Sequence, residues 1–243
     1  MKLEGRVAIV TGAGRGIGRA IALTFSREGA RVAAVASSAG EIQETVGEIQ
    51  KGNQAAIGIQ ADVSREEEVA RMVQQTVQQF KTVDILVNNA GINLPYRAVV
   101  DLSLKEWEQI LAVNLTGTFL ATRAVLPIMM EKKSGKIINL SSIGGRRGAA
   151  GRSPYRATKA ALINFTECVA AEAKPHGIRV NAICPGLVES RMQKEITAGR
   201  DFVPELIHPD EIARVALFLA TDDSSPICGA AIDAFGSTPL VIK

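Results

Sequence analysis

Two rhythms of apolar residues alternate along the chain. The first is a set of short runs rich in valine, isoleucine and alanine: RVAIV (6–10), RVAAVA (31–36), AAIGIQA (55–61), VDILVN (83–88), GKIINLS (135–141) and IRVNAIC (178–184). They are nearly continuous rather than alternating, as expected of strands covered on both faces. The second is a set of longer stretches with apolar residues at helical spacing. These predict helices over 16–27, from 39 to about 51, over 64–80, from about 103 into the apolar stretch 110–130, and over 154–174 and 209–220. Ser64 with Glu67 and Ser103 with Glu106 read as capping boxes that open two of them. A short polar helix should follow the strand at 178–184, and a last apolar segment lies near 229–235.

Strand-then-helix repetition predicts an α/β fold, a single-domain Rossmann-type doubly wound parallel sheet with helices on both faces and its ligand at the carboxyl ends of the strands. No linker, repeat or low-complexity segment divides residues 1–243, and the stretch at about 187–208 is positioned to act as a substrate lid.

Composition narrows the function classes. Hydrophobic residues make up 47% and charged residues 22%, a globular balance, and a net charge of +3 without basic runs gives no argument for nucleic acid. The apolar stretch 110–130 contains Asn114 and Arg123 and reads as a core helix, not a membrane span. The chain reaches its first strand within six residues, so no signal peptide is expected. Cys168, Cys184 and Cys228 sit apart in apolar surroundings and read as reduced residues of a cytoplasmic protein; with two histidines and no CxxC, no metal site is expected.

The first strand runs into Gly12-Ala13-Gly14-Arg15-Gly16-Ile17-Gly18. Neither GxGxxG nor a P-loop fits, yet Gly12-x-x-x-Gly16-x-Gly18 between a strand and a helix serves the same end. Glycines allow a tight turn and close approach, and the helix N-terminus faces a pyrophosphate. Farther on, Tyr155 and Lys159 stand four apart on a predicted helix, about 40° apart around its axis. An ammonium about 4 Å from a phenol should lower its pKa by roughly three units, from about 10 toward 7, where acid–base chemistry is efficient. Ser142 falls at the carboxyl edge of a strand, where its hydroxyl can donate to a substrate oxygen. Asn114 is a poor interior helix former whose buried amide needs partners, either structural ones or a water that feeds protons to Lys159.

Taken with TGAGRGIG (11–18), Asp62-Val63, NNAG (88–91) and Pro185-Gly186, these residues in this order resemble the short-chain dehydrogenases/reductases over nearly the whole chain, most of all 3-oxoacyl-(acyl-carrier-protein) reductase-like members. The resemblance implies a catalytic tetrad. Tyr155 would donate or accept the proton, Lys159 would lower its pKa and bind the nicotinamide ribose, Ser142 would polarise the carbonyl, and Asn114 would hold a relay water. It also implies that Asp62 and Val63 meet the adenine, that Asn89, Ala90 and Gly91 line the cofactor, and that Pro185, Gly186, Val188 and Ser190 meet the nicotinamide end. A homotetramer built through the helices of Asn114 and Tyr155 follows from it as well.

Three positions depart from that pattern. The lid segment is a few residues short. The usual Val-Asp-Gly-Gly reads Ala234-Phe235-Gly236-Ser237. Of the two basic positions that dock acyl carrier protein, Lys133 fits and His176 stands where arginine is usual. The substrate is therefore expected to be a small carbonyl or secondary alcohol, either a 3-oxoacyl thioester with acyl carrier protein as partner, or a sugar, polyol or hydroxy acid. A dinucleotide sensor without activity is the reading from another class. In the loop between Ser142 and Tyr155, Arg146, Arg147 and Arg152 include at least one candidate partner for a substrate carboxylate or phosphate. The second strand ends in Ala36-Ser37-Ser38, with no acid before Glu41. Ser37, Ser38 and Arg15 are therefore expected to receive a 2′-phosphate, giving NADP(H) preference with NAD(H) still possible.

Overall fold

A computed structural model describes residues 1–193 and 205–237 of the chain. Seven parallel strands, β1 (Val7–Thr11), β2 (Arg31–Ala36), β3 (Ala56–Gln60), β4 (Ile85–Asn88), β5 (Gly135–Leu140), β6 (Ile178–Pro185) and β7 (Ala231–Ala234), form one sheet in the order β3-β2-β1-β4-β5-β6-β7. The order reverses between β1 and β4, which pair from Ala8↔Ile85 to Val10↔Val87. A crevice opens at that switch point, outside the carboxyl ends of the strands.

The helices are α1 (Gly16–Arg27), α2 (Ala39–Lys51), α3 (Glu66–Phe80), α4 (Leu104–Leu111), α5 (Gly117–Lys132), α6 (Ser153–Ala173) and α7 (Pro209–Ala220). Successive strand residues point to opposite faces, so β1 and β2 feed two cores. Ala8, Val10, Val32 and Ala34 pack with α1, α2 and α7. Ile9, Ala33 and Val35 pack with α3, α5 and α6. The continuous apolar runs of β1, β2 and β4 are thus explained, since their residues are buried on one side of the sheet or the other.

Leu104–Lys132 is long and apolar enough to cross a membrane by length and composition. In the fold, Leu120, Ala121, Val125 and Met129 of α5 are instead buried against the sheet. The Ser103/Glu106 capping box forms, with both reciprocal bonds in place. The expected Ser64/Glu67 box does not. Ser64 donates from its amide and its hydroxyl to Asp62 Oδ1 (2.9 and 2.7 Å), and α3 begins later, at Glu66. Asp62 outcompeted the helix cap through a shorter, charge-assisted turn. Of the lid segment and the polar helix expected there, residues 194–204 lie outside the described residues.

Candidate active site

The glycine loop leaves β1 through Gly12, whose φ of +66° suits a residue without a side chain. Gly18 is held by close approach: a Cβ there would lie 2.2 Å from the Gly12 carbonyl oxygen and 2.4 Å from Asn89 Nδ2. Asn89 Nδ2 donates to the carbonyls of Thr11 (3.0 Å) and Gly12 (3.2 Å). The Thr11 hydroxyl donates to Val87 O and accepts from the amides of Asn89 and Ala90. Thr11 therefore ties the first loop to the fourth, a role its place at the end of β1 did not disclose.

A cleft of about 760 Å³ runs along this edge. Its walls include Gly12, Arg15, Gly16 and Ile17 of the first loop, Ser37 and Ser38 after β2, Asp62 and Val63 after β3, and Asn89, Ala90 and Gly91 after β4. Tyr155, Lys159, Pro185 and Ser190 close the other end. This elongated, polar-rimmed cradle spans from the glycine loop to the Tyr155 hydroxyl and fits a nicotinamide dinucleotide. Three expected contact residues support the cleft from behind. Gly18 is packed inside α1, Val188 is buried in a short parallel bridge to Ile207, and the Gly186 amide donates to Ala234 O at 2.9 Å. Ile92, Gln109 and Val113 line it as well and carried no sequence signal.

α6 brings Tyr155 and Lys159 to the cleft. Ser141 Oγ donates to Lys159 O at 2.7 Å, fixing the helix against the end of β5. Lys159 is 4% exposed, and its ammonium donates to Leu140 O at 2.7 Å. Burial pushes the Lys159 pKa from 10.5 down to about 8. The Tyr155 phenol hydrogen-bonds with Ser142. Burial raises its pKa, and the Ser142 bond opposes the rise. The expected pull toward 7 by Lys159 is absent. The ammonium lies against the ring face, 5.6 Å from its centroid, and is occupied by a carbonyl, so desolvation dominates the phenol.

Asn114 is fully buried in a π-helical turn, Ala112–Thr116, between α4 and α5. Its Oδ1 accepts from Ile92 N (2.8 Å), and its Nδ2 donates to Ile92 O (3.0 Å) and Thr158 Oγ1 (3.3 Å). The widened turn lets the amide clamp the loop after β4 onto α6. A Cβ on Gly91 would lie 3.3 Å from Asn114 Oδ1 and 3.5 Å from Lys159 Nζ, so the three stand together.

Two expectations about charge need correction. Arg146 does not face the cleft as a free substrate partner: its Nε donates to Asp233 Oδ1 (2.8 Å) and another guanidinium nitrogen to Ala231 O (2.6 Å), anchoring the loop to β7. Arg152, half-buried, acts on the Tyr155 phenol through its charge. The edge beside Arg15 also holds an acid after all. Glu41, in the first turn of α2, lines the cleft and pairs with Arg15 at 2.8 Å. The sequence distance to β2 hid it, because α2 starts at once and turns Glu41 back over the loop. Ser37 is exposed, and Ser38 caps α2 by accepting from Glu41 N at 3.5 Å. Among the described residues, no group of three acidic, histidine or cysteine side chains gathers to hold a metal ion.

The chain is similar to known proteins. The chain is 39% identical over 228 residues to a 3-oxoacyl-[acyl-carrier-protein] reductase of Synechocystis, covering 92% of each. It is 37% identical to the BbsD subunit of (2S)-[(R)-hydroxy(phenyl)methyl]succinyl-CoA dehydrogenase of Thauera aromatica, covering 99% of each. A 3-ketoacyl-(acyl-carrier-protein) reductase from Brucella melitensis, solved with NADH, superposes with a TM-score of 0.91 at 35% identity, over 97% of this chain and 98% of that one. The short chain dehydrogenase family pattern matches residues 6–201, and the chain belongs to that family, as an oxidoreductase of CH–OH and C=O groups that uses a nicotinamide dinucleotide.

Proposed function

We propose that the enzyme uses NADP(H) in preference to NAD(H) to interconvert a ketone and a secondary alcohol, with a 3-oxoacyl thioester as the favoured substrate. The observation that carries the reading is the Tyr155 phenol at one end of the cleft, hydrogen-bonded with Ser142. When bound, the dinucleotide supplies or accepts the hydride. The chain's own residues do the rest. Ser142 and Tyr155 receive the substrate oxygen, Tyr155 delivers its proton as charge develops there, and the Lys159 ammonium, at the same end of the cleft, would hold the ribose of the nicotinamide half. Asn114 keeps the loop after β4 and α6 in register.

Thioester substrates are favoured because the Synechocystis relative is named for a 3-oxoacyl-[acyl-carrier-protein] and the Thauera relative for a succinyl-CoA derivative. Arg15 and Ser37, at the far end of the cleft, support the 2′-phosphate reading, and Arg147 and Arg152 are the remaining candidates for a substrate anion. Lys133 and His176 are exposed at the amino ends of β5 and β6, the sheet edge opposite Tyr155. Carrier-protein docking within one chain is therefore the weaker form of the proposal. Exposed Phe119 on α5 and Phe218 on α7 fit burial in a homotetramer, and three free cysteines fit a reducing, cytoplasmic setting.

The test follows nucleotide oxidation with acetoacetyl-CoA, the same acyl group on acyl carrier protein, and a panel of sugars, polyols and hydroxy acids. Turnover of either thioester with NADPH at a higher kcat/KM than the free sugars supports the reading. Faster turnover of a polyol or hydroxy acid, or higher kcat/KM with NADH, overturns it.

A further inference from the structure

We propose that Glu41 sets the nucleotide preference by competing with the 2′-phosphate for Arg15. The inference rests on the NADP(H) reading above and deepens it. Arg15 Nη1 and Glu41 Oε1 are 2.8 Å apart at the lip of the cleft, with side chains 58% and 31% exposed. A 2′-phosphate seated beside Ser37 and Ser38 must draw the guanidinium away from that carboxylate or sit next to it. A bare 2′-hydroxyl meets no such barrier and finds in Glu41 an acceptor.

The carboxylate is placed by design of the backbone around it. A Cβ on Gly14 would lie 2.8 Å from Glu41 Cβ and 3.1 Å from its Oε2, so only a glycine leaves room for Glu41 to fold over the loop. The buried Thr45 hydroxyl makes contact with both sides, at 3.0 Å to Ala13 O and 3.2 Å to Glu41 O, binding the first turn of α2 to the loop. Ser38 holds the Glu41 amide from the other side. Arg19, the next cation along the cleft wall, is itself paired with Glu48, so Arg15 is the cation that this carboxylate controls.

Dissociation constants of NADPH and NADH measured by calorimetry on wild type, Glu41→Gln, Arg15→Ala and the double variant test this without any substrate. Glu41→Gln should tighten NADPH by roughly 5- to 30-fold, the lower figure being what release from a half-exposed ion pair gives and the higher adding relief of like-charge repulsion. NADH should not tighten. In the Arg15→Ala background the gain should disappear, because the effect runs through the guanidinium. An unchanged NADPH constant in Glu41→Gln, equal tightening of both nucleotides, or a gain that persists without Arg15 would each overturn the role of Glu41. If instead Arg15→Ala leaves NADPH binding of wild type unaltered, the NADP(H) reading itself fails.

Discussion

Lys159→Met should make the protein more stable at neutral pH while removing its activity. The buried ammonium is the reason. A pKa lowered from 10.5 to about 8 means that the folded state binds the proton less well than the unfolded chain does. Below pH 8 the lysine is charged in both states and the full cost of about 3 kcal/mol is present. Between pH 8 and 10.5 the unfolded chain holds more protons than the folded one, so stability climbs with pH and the cost fades. At pH 10 about 1 kcal/mol remains. Methionine keeps the unbranched shape and removes the charge, but leaves Leu140 O without its 2.7 Å donor, a loss of about 1 kcal/mol.

The net expectation is a gain of about 2 kcal/mol at pH 7 that shrinks to about zero at pH 10. Urea unfolding of wild type and Lys159→Met at both pH values, without nucleotide, measures it. Groups that titrate elsewhere cancel in the difference. A variant less stable than wild type at pH 7, or a difference that does not change between the two pH values, would refute the reasoning. The gain would also locate a trade: the site keeps a poorly solvated cation at the expense of stability because the reaction needs one there.

Three further substitutions follow. Tyr155→Phe should lower turnover by about 10²- to 10⁴-fold with nucleotide affinity within a few-fold, and more than a tenth of wild-type activity remaining would exclude Tyr155 as the acid. Gly18→Ala places a methyl carbon 2.2 Å from Gly12 O and should abolish binding of both nucleotides in calorimetry; retained affinity would show that the loop is not the nucleotide cradle. Arg146→Ala frees the loop from Asp233 and Ala231, so KM should rise to a similar degree for anionic and neutral ketones; a rise confined to anionic ones would restore Arg146 as a direct substrate partner.

Most of the fold was legible in the sequence because its signals are local. β2, α1, α2 and α7 occur with the expected bounds, since each combines a clean apolar period with a cap, a glycine or a proline at its start. The placement of Tyr155 and Lys159 was legible for a related reason: both sit on α6, and their spacing puts them on one face. The expected pKa of Tyr155 was not, because it depended on how deep the pair lies and on what else binds the ammonium. A carbonyl from β5, nineteen residues away in the chain, accepts a hydrogen bond from that ammonium, and no helical spacing contains it.

The same distinction explains Glu41. Counting residues past the glycine loop finds an acid only where the strand ends, and the strand here ends in serines. What brings a carboxylate back is a tertiary arrangement: an α2 that begins immediately at Ala39, a Thr45 hydroxyl that draws its first turn onto Ala13, and a glycine at position 14 that leaves the space empty. None of the three residues is informative alone, and each is ordinary in a helix or loop. Their joint effect is to put opposite charges on the two elements that meet the adenosine end of the cleft. Loop and helix are thereby drawn together, and on the proposal made above a phosphorylated ribose would compete with that contact. On the proposal made above, a preference that looks from the sequence like a matter of one missing acid becomes a balance between Arg15 and Glu41, adjustable by a single substitution at either residue.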